Sequence, residues 1–551
     1  MKYIEKESRE QLTLLPDCIE DYISENNPVR IIDAFVDSLD MYRLGFLRAV
    51  PGETGRPPYD PRDLLKLYIY GYFNRIRSSR RLMLECRRNV ELFYLLGKLT
   101  PDFRTIADFR KDNGAAIRGV FREFVKLCVK LNMYERELLA VDGSKVRAAN
   151  SDDNAYNAEI LEKKLARIDG HIREYLSQLD RQDQDALEES EMTAEQIRSA
   201  ISTLRERKER YEGYLAELGE SGETQLLTTD PEARRMHSKD GFHCCYNVQT
   251  AVDSGSHLIA EYEVTNRNTD QGLLCRVVTG AKENLGTEVI ETVADKGYES
   301  REDILNCVMN GIIPTVALKY DKYERLFQIP YEDVTITQDM RSSTRPDDIQ
   351  ACISAGILPD CYTGSNIEVA VQRKTELSCF IRDENGAVTC PTGETLSLVK
   401  TKGSNSIYAN KDACRQCQTR CVSGKWFKRV SFGPHTKVVP TWVYGTPEKP
   451  LTKIPDDIPA NPYNHTLNRT DYSKPKKVVV RIRMDKEKLK KRMCLSEHPF
   501  GTVKWWHGAH YVLCKGIEKA TAELGLSFLA YNLRRAINIV GTERLIEAMR
   551  G

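Results

Sequence analysis

No stretch of this 551-residue chain is apolar for the roughly 20 residues that a membrane-spanning helix needs, so a membrane span is not expected. The first residues, MKYIEKESREQ, are charged and lack the apolar core of a secretory leader, so export is not expected either. The sixteen cysteines lack the even spacing of a disulfide framework; an adjacent pair, Cys244 and Cys245, and a late cluster point to a reducing, cytoplasmic setting. Net charge is nearly absent as well. Lys and Arg number 81 against 80 Asp and Glu, a formal charge of +1, so the whole-chain balance says nothing about a polyanionic partner.

What is present is length and uneven charge. At about 150 residues per domain the chain holds three or four structural units. Residues 62–112 carry twelve Lys or Arg against six Asp or Glu, and RIRSSRRLMLECRR interleaves Ile76, Leu82 and Leu84 with bases. GRPPYDPRDLLKLYIYGYFN follows Pro57 and Pro58 with Leu65, Ile69, Tyr72 and Phe73 at helical spacing, and TPDFRTIADFR opens another helix. This is a basic helical domain, with Arg80 and Arg81 as candidate phosphate contacts or, alternatively, members of a solvated face.

Mixed α/β patterning follows. In ELLAVDGSKVRAAN an apolar run, Leu138 to Val141, reaches Asp142; it reads as a buried strand ending on an acid, or as an Asp-Gly turn. Residues 157–219 keep three-and-four spacing through Leu161, Leu165, Ile168, Ile172 and Leu179, and again from Ile197 to Leu218. They predict an antiparallel helical hairpin, with a Thr193–Gln196 capping box and no chemistry of its own. Residues 242–265 predict two strands joined by DSGS; a helix is expected near 271–284, a strand at Val289–Ala294 ending on Asp295, a helix near 302–310 and a strand at 312–318. Asp253 and Asp240 read as turn residues, and His237, His243 and His257 as packing or hydrogen-bonding residues.

Beyond residue 318 the pattern loosens into an insertion without an obvious core. Cys390, Cys414, Cys417 and Cys421 are spaced so that four thiolates can wrap one structural Zn²⁺, or they remain reduced and packed. Residues 474–492 then hold ten bases against two acids, with VVVRIR strand-like and KEKLKKRM helical, and lead into SEHPFGTVKWWHG. Asp142, Asp295 and Glu497 are acids of the kind that divalent cations require in phosphodiester chemistry, because hard ions take oxygen ligands. Spacing alone does not single these three out among 80 acids.

The pieces VDGSKVRAANS, DPEARRM, YNVQTAVD, VADKGYES and SEHPFGTVK, in that order, resemble the DDE transposases of bacterial insertion sequences. The nearest branch has an InsH-like N-terminal domain, which GRPPYDPRDLLKLYIYGYFNRIRSSRRL resembles, and a ribonuclease H-like core whose end AYNLRRAINIVG resembles; the likeness spans about residues 40 to 540. The resemblance implies an α/β fold with a ribonuclease H-like mixed sheet. Its pieces would be a helical DNA-binding domain (1–130), core segments (131–155, 223–320 and 476–551), a helical-hairpin insertion (156–222) and a Cys-containing insertion (321–475).

It further implies that Asp142, Asp295 and Glu497 are the catalytic acids and the ligands of Mg²⁺ or Mn²⁺. Lys504, at E-x6-K spacing, would touch a phosphate. Trp505 and Trp506 would stack on an unpaired base or pack their helix; lying about 100° apart on a helix, at most one is expected to face DNA. The family's Arg four before the Glu and Tyr seven before it are Met493 and Lys490 here, while Arg492 stands five before, which puts its DNA contact in doubt. The implied activity is that of a transposase: metal-dependent cleavage at the terminal inverted repeats of a mobile element and strand transfer into double-stranded target DNA, by a homodimer associated with the nucleoid. Two other classes share these residues, a transposase-derived DNA-binding protein that no longer cuts and a metal-dependent nuclease without strand transfer.

Overall fold

A computed structural model describes residues 18–52, 57–184, 193–238, 240–318, 324–372, 374–417, 419, 421, 427–444, 451–453 and 477–550. Two units emerge. One comprises the chain up to Ile304, Pro314–Ala317 and Lys486–Gly551; the other comprises Leu305–Ile313 and Leu318–Asp485.

The first unit begins with helices α1 (Pro28–Asp37), α2 (Pro61–Phe73), α3 (Ser79–Glu85), α4 (Val90–Leu96), α5 (Phe103–Asp112) and α6 (Gly114–Lys130). Their starts are written locally. Asn27, Asp60, Asn89 and Asp102 each accept a backbone N–H of the first turn, and α1 and α2 open on a proline whose missing N–H would have had no helical partner. Helix α2 is buried from Leu64 to Phe73, and its one charged member there, Lys66, is neutralised by Asp33 and Asp37 at 2.7 Å each. Arg80 and Arg81 of α3 stay exposed, as expected of a basic surface.

A mixed sheet follows, built from β1 (Leu138–Arg147), β2 (Arg234–Ser238), β3 (Gly241–Asp253), β4 (Ile259–Thr265), β5 (Ile290–Ala294) and β6 (Ile312–Val316). The spatial order is β4, β3, β1, β5, β6, with β2 extending the edge of β3 beside β4. Strand β1 is central: Leu139–Arg147 pairs antiparallel with β3, while Leu138–Val141 pairs parallel with Glu291–Ala294 of β5. The Leu138–Val141 segment of β1 is buried on both faces and is a continuous apolar run. Asp142 does not end its strand, contrary to the expectation. Strand β3 continues to supply backbone partners beyond the point where β5 stops, so the Asp142-Gly143 step stays extended opposite Thr250 and Gln249 and no turn forms.

Helices α7 (Ala158–Gln184) and α8 (Ala194–Ser221) form the hairpin, and the Thr193–Gln196 capping box is made. Helix α9 (Leu274–Leu285) packs on the sheet, followed far along the chain by α10 (Lys486–Gly501) and α11 (Ile517–Val540). Helix α11 is buried all round from Ala520 to Leu533, as a helix enclosed by others is, with Glu523 and Asn532 among its buried polar members.

The second unit does have a core. Phe380, Val388, Leu396, Tyr408, Val430 and Phe432 are buried together in a six-stranded sheet. Its alternating strands are short and separated by turns, which hides the periodicity from a long window. The VVVRIR strand, Lys477–Arg483, also belongs to this unit, at the centre of a three-stranded antiparallel sheet between Glu324–Pro330 and Ile367–Gln372.

Candidate active site

Parallel pairing of Val141 with Ala294 carries the chain to Asp142 on β1 and to Asp295 just past β5, at the same level on neighbouring strands. Asp295 is held by a short turn in which its Oδ1 accepts from the Gly297 N–H at 2.6 Å. Asp142 accepts from the Gly143 N–H at 2.8 Å through Oδ1, and its Oδ2 lies 3.5 Å from Nη1 of Arg492. Helix α10 delivers that guanidinium because Leu495 packs into the cluster of Leu138, Ala140 and Val293, and Lys488, one turn before Arg492 on the same face, pairs with Glu291. The out-of-register arginine thus has a place, on the first acid.

Glu497 is not brought to the pair in the same way. Five residues beyond Arg492, it lies about 140° further round the helix, and its side chain is exposed. The helix that carries the expected third acid packs over β1 and β5, with the carboxylate itself in solvent.

The structure adds an acid that the motifs did not mark. Asp270, in the loop between β4 and α9, accepts hydrogen bonds from Lys145 Nζ (3.4 Å), Asn247 Nδ2 (2.7 Å) and Gln249 Nε2 (2.9 Å). The Tyr298 hydroxyl donates to Gln249 Oε1, closing a chain from β3 to the Asp295 turn. The Tyr298 phenol is held well above its ordinary range by burial, reinforced by the charges of Asp270, Asp142 and Asp295. Sequence offered one faint signal for Asp270, an acid in a short loop between a strand and a helix. Nothing local told it from Asp240, which sits in an ordinary turn.

Lys504 turns inward: its ammonium donates to Ser144 Oγ at 2.9 Å and to the Lys145 carbonyl at 2.8 Å, which pins the segment after α10 to β1. Thr502–Trp506 forms a π-helical turn, and on it both indoles are outside, Trp505 at 72% and Trp506 at 55% exposure. Exposure leaves both rings reachable from solvent. The Arg75 guanidinium lies 3.5 Å from the centre of the Trp506 ring, and Trp505 stacks on His510. Arg77 is drawn inside, donating to the carbonyls of Gly508 and Tyr511 and to Glu523 Oε1 at 2.6 Å. Arg75 and Arg77 thereby tie the segment between α2 and α3 to the tryptophan turn and the residues after it.

Asp253 and His243 serve as turn and hydrogen-bonding groups. Asp253 accepts from the backbone of Gly255, Ser256 and Arg136, and His243 sits between Asp152 and Arg147. The four cysteines of the second unit are neighbours of one another, and their sulfurs also take protein partners. The Cys417 thiol donates to the Thr419 carbonyl at 2.7 Å and the Cys390 sulfur accepts from the Glu394 N–H, while burial, with its three cysteine neighbours, pushes the Cys421 thiol up to about 12. Among the described residues no group of three or more His, Cys, Asp or Glu is arranged to hold a metal ion. A structural zinc takes four protein ligands. Mg²⁺ keeps several waters and commonly binds through one or two carboxylates plus substrate phosphates. Asp142 and Asp295, at the same level on neighbouring strands, are two carboxylates of that kind.

A family model described as Transposase DDE domain matches residues 133–533, and another described as Transposase domain (DUF772) matches residues 17–112. No curated protein and no solved structure matches the chain.

Proposed function

The chain belongs to the family of transposases with a DDE domain, since that match covers well over half of it, and we propose that it cuts the ends of a mobile element and joins them to target DNA in a metal-dependent reaction. Family membership implies a DNA-cutting and joining enzyme. No described helix is long and apolar enough to cross a membrane. The observation that carries the finer reading is the parallel register of Val141 with Ala294, which sets Asp142 beside Asp295. The sheet order β4, β3, β1, β5, β6 supports taking this as a ribonuclease H-like core, with the α7–α8 hairpin and the Cys-containing segment as its insertions.

In this reading Asp142 and Asp295 hold a divalent cation, which when bound supplies positive charge to the attacking and leaving oxygens of an in-line displacement at phosphorus. Arg492 offsets the charge of Asp142 and fixes its rotamer. Lys504 acts by fastening the tryptophan turn to β1, a positioning task, in place of the direct phosphate contact expected from its spacing. Trp505 and Trp506 offer π faces to unpaired bases, and Arg75, Arg80 and Arg81 offer charge to phosphates. Glu497, as the family's third acid, serves from α10, and two copies of the chain pair two ends.

Labelled element-end DNA incubated with Mg²⁺ tests the reading. The parent is expected to nick the end and to join the freed 3′ end to a target, and Asp142→Asn, Asp295→Asn and Glu497→Gln are expected to do neither. Variants that cut like the parent refute the acid assignment; a parent that cuts without joining is a nuclease.

A further inference from the structure

The two oxygens of Asp270 are used differently. Oδ1 takes all three donors, from Lys145, Asn247 and Gln249. Among the described residues no hydrogen bond reaches Oδ2. The charge of Asp270 answers the Lys145 ammonium, which pairs with Oδ1, but neither that pairing nor the two amide donors uses the second oxygen.

Where Oδ2 lies gives it a use. A methyl group added at Gly297 would stand 3.4 Å from Asp270 Oδ2 and 2.8 Å from Asp295 Oδ1, so the two carboxylates flank one small space that stays open because residue 297 has no side chain. On the opposite side, a methyl at Gly143, next to Asp142, would meet Gln249 Nε2 at 2.5 Å and Asp270 Oδ1 at 2.9 Å. Gly143 and Gly297 thus let Asp270 approach both acid-bearing segments. The chain of bonds from Tyr298 through Gln249 locks the Asp270 rotamer, as outer hydrogen bonds do for carboxylates that bind metal.

We propose that Asp270 joins Asp295 as a carboxylate ligand of the divalent cation, an inference that rests on the transposase reading of this site. Asp270 and Asp295 then supply hard oxygen donors beside Asp142 on the neighbouring strand, and leaving the remaining positions to water and phosphate matches the demands of Mg²⁺ or Mn²⁺.

The test is Mn²⁺ binding to the full chain without DNA, read by electron paramagnetic resonance of the free ion, alongside Mg²⁺- and Mn²⁺-supported cutting. Asp270→Asn is expected to weaken Mn²⁺ binding about tenfold or more, as is Asp295→Asn, with circular dichroism and melting unchanged. Asp270→Cys is the second variant; a softer thiolate is expected to support cutting with Mn²⁺ far better than with Mg²⁺, a change of metal preference that a purely structural role would not produce. If Asp295→Asn weakens binding while Asp270→Asn binds as the parent does and Asp270→Cys keeps the parent's metal preference, Asp270 is only an anchor. If Asp142→Asn, Asp295→Asn and Asp270→Asn all bind Mn²⁺ as the parent does, the transposase reading of the site fails and this proposal falls with it.

Discussion

Replacing Glu523 by Gln tests what holds the basic helices against α11. Glu523, on α11, is fully buried; its Oε1 accepts from Arg77 Nη2 at 2.6 Å and lies 3.8 Å from Arg110 Nη1, while Oε2 accepts from the N–H groups of Leu513 and Cys514. Both guanidinium groups are themselves buried. Removing the anion leaves two buried cations without their counter-charge, a change that destabilises by about 3–5 kcal/mol. With a urea dependence of about 2–3 kcal/mol per molar, the midpoint should fall by about 1–2 M. Hydrogen exchange of peptides from α2, α5 and α11 in urea is the assay, because it reports the joint between these helices directly. Burial pushes the Glu523 carboxyl up, but Arg110 and Arg77 outweigh it and hold the folded value below the ordinary 4.5. Its contribution is therefore present above pH 4.5 and is lost as pH falls through the lower folded value, so the parent should lose more stability in acid than Glu523→Gln. A variant whose midpoint stays within about 0.3 M of the parent, or whose acid sensitivity equals the parent's, refutes the argument. Since Arg77 also binds the carbonyls of Gly508 and Tyr511, loss of the joint should loosen the tryptophan turn and weaken DNA binding too.

Three further outcomes can be measured. Arg492→Ala deprives Asp142 of its guanidinium and is expected to lower cutting about 10–100-fold at unchanged melting temperature; equal rates would show the contact to be incidental. Gly297→Ala places a methyl 2.8 Å from Asp295 Oδ1 and should destabilise by about 1–3 kcal/mol and abolish cutting, so a variant that melts and cuts like the parent would sink the space argued above. Burial, helped by Arg534 and Arg75, pulls His507 down to about 4. The unfolded chain binds that proton first, so stability should drop between pH 6.5 and about 4 by about 3 kcal/mol, and His507→Gln should flatten this part of the urea-midpoint profile or the assignment is wrong.

Much of the secondary structure was legible because its causes are local. Asp60 before Pro61 and Asp102 before Phe103 mark helix starts by capping chemistry within three residues, and Thr193 with Gln196 does so reciprocally. The apolar runs ending at Asp142 and Asp295 revealed buried strands and their acids, though the continuation of β1 to Arg147 depends on β3, a hundred residues away in the chain. The second unit was missed as a core because its buried residues come from strands whose partners are set by pairing and not by sequence neighbours.

By itself the sequence determined the family, the helical and strand segments, the uneven charge and the two acids at strand level, all of which depend on residue type and short-range spacing. Tertiary structure alone decided the rest. It turned Arg492 onto Asp142, left Glu497 in solvent, bent Lys504 back to β1, set both tryptophans outside and drew Asp270 in beside Asp295. Each of these depends on the angle at which one packed element meets another, and no window of sequence contains both elements.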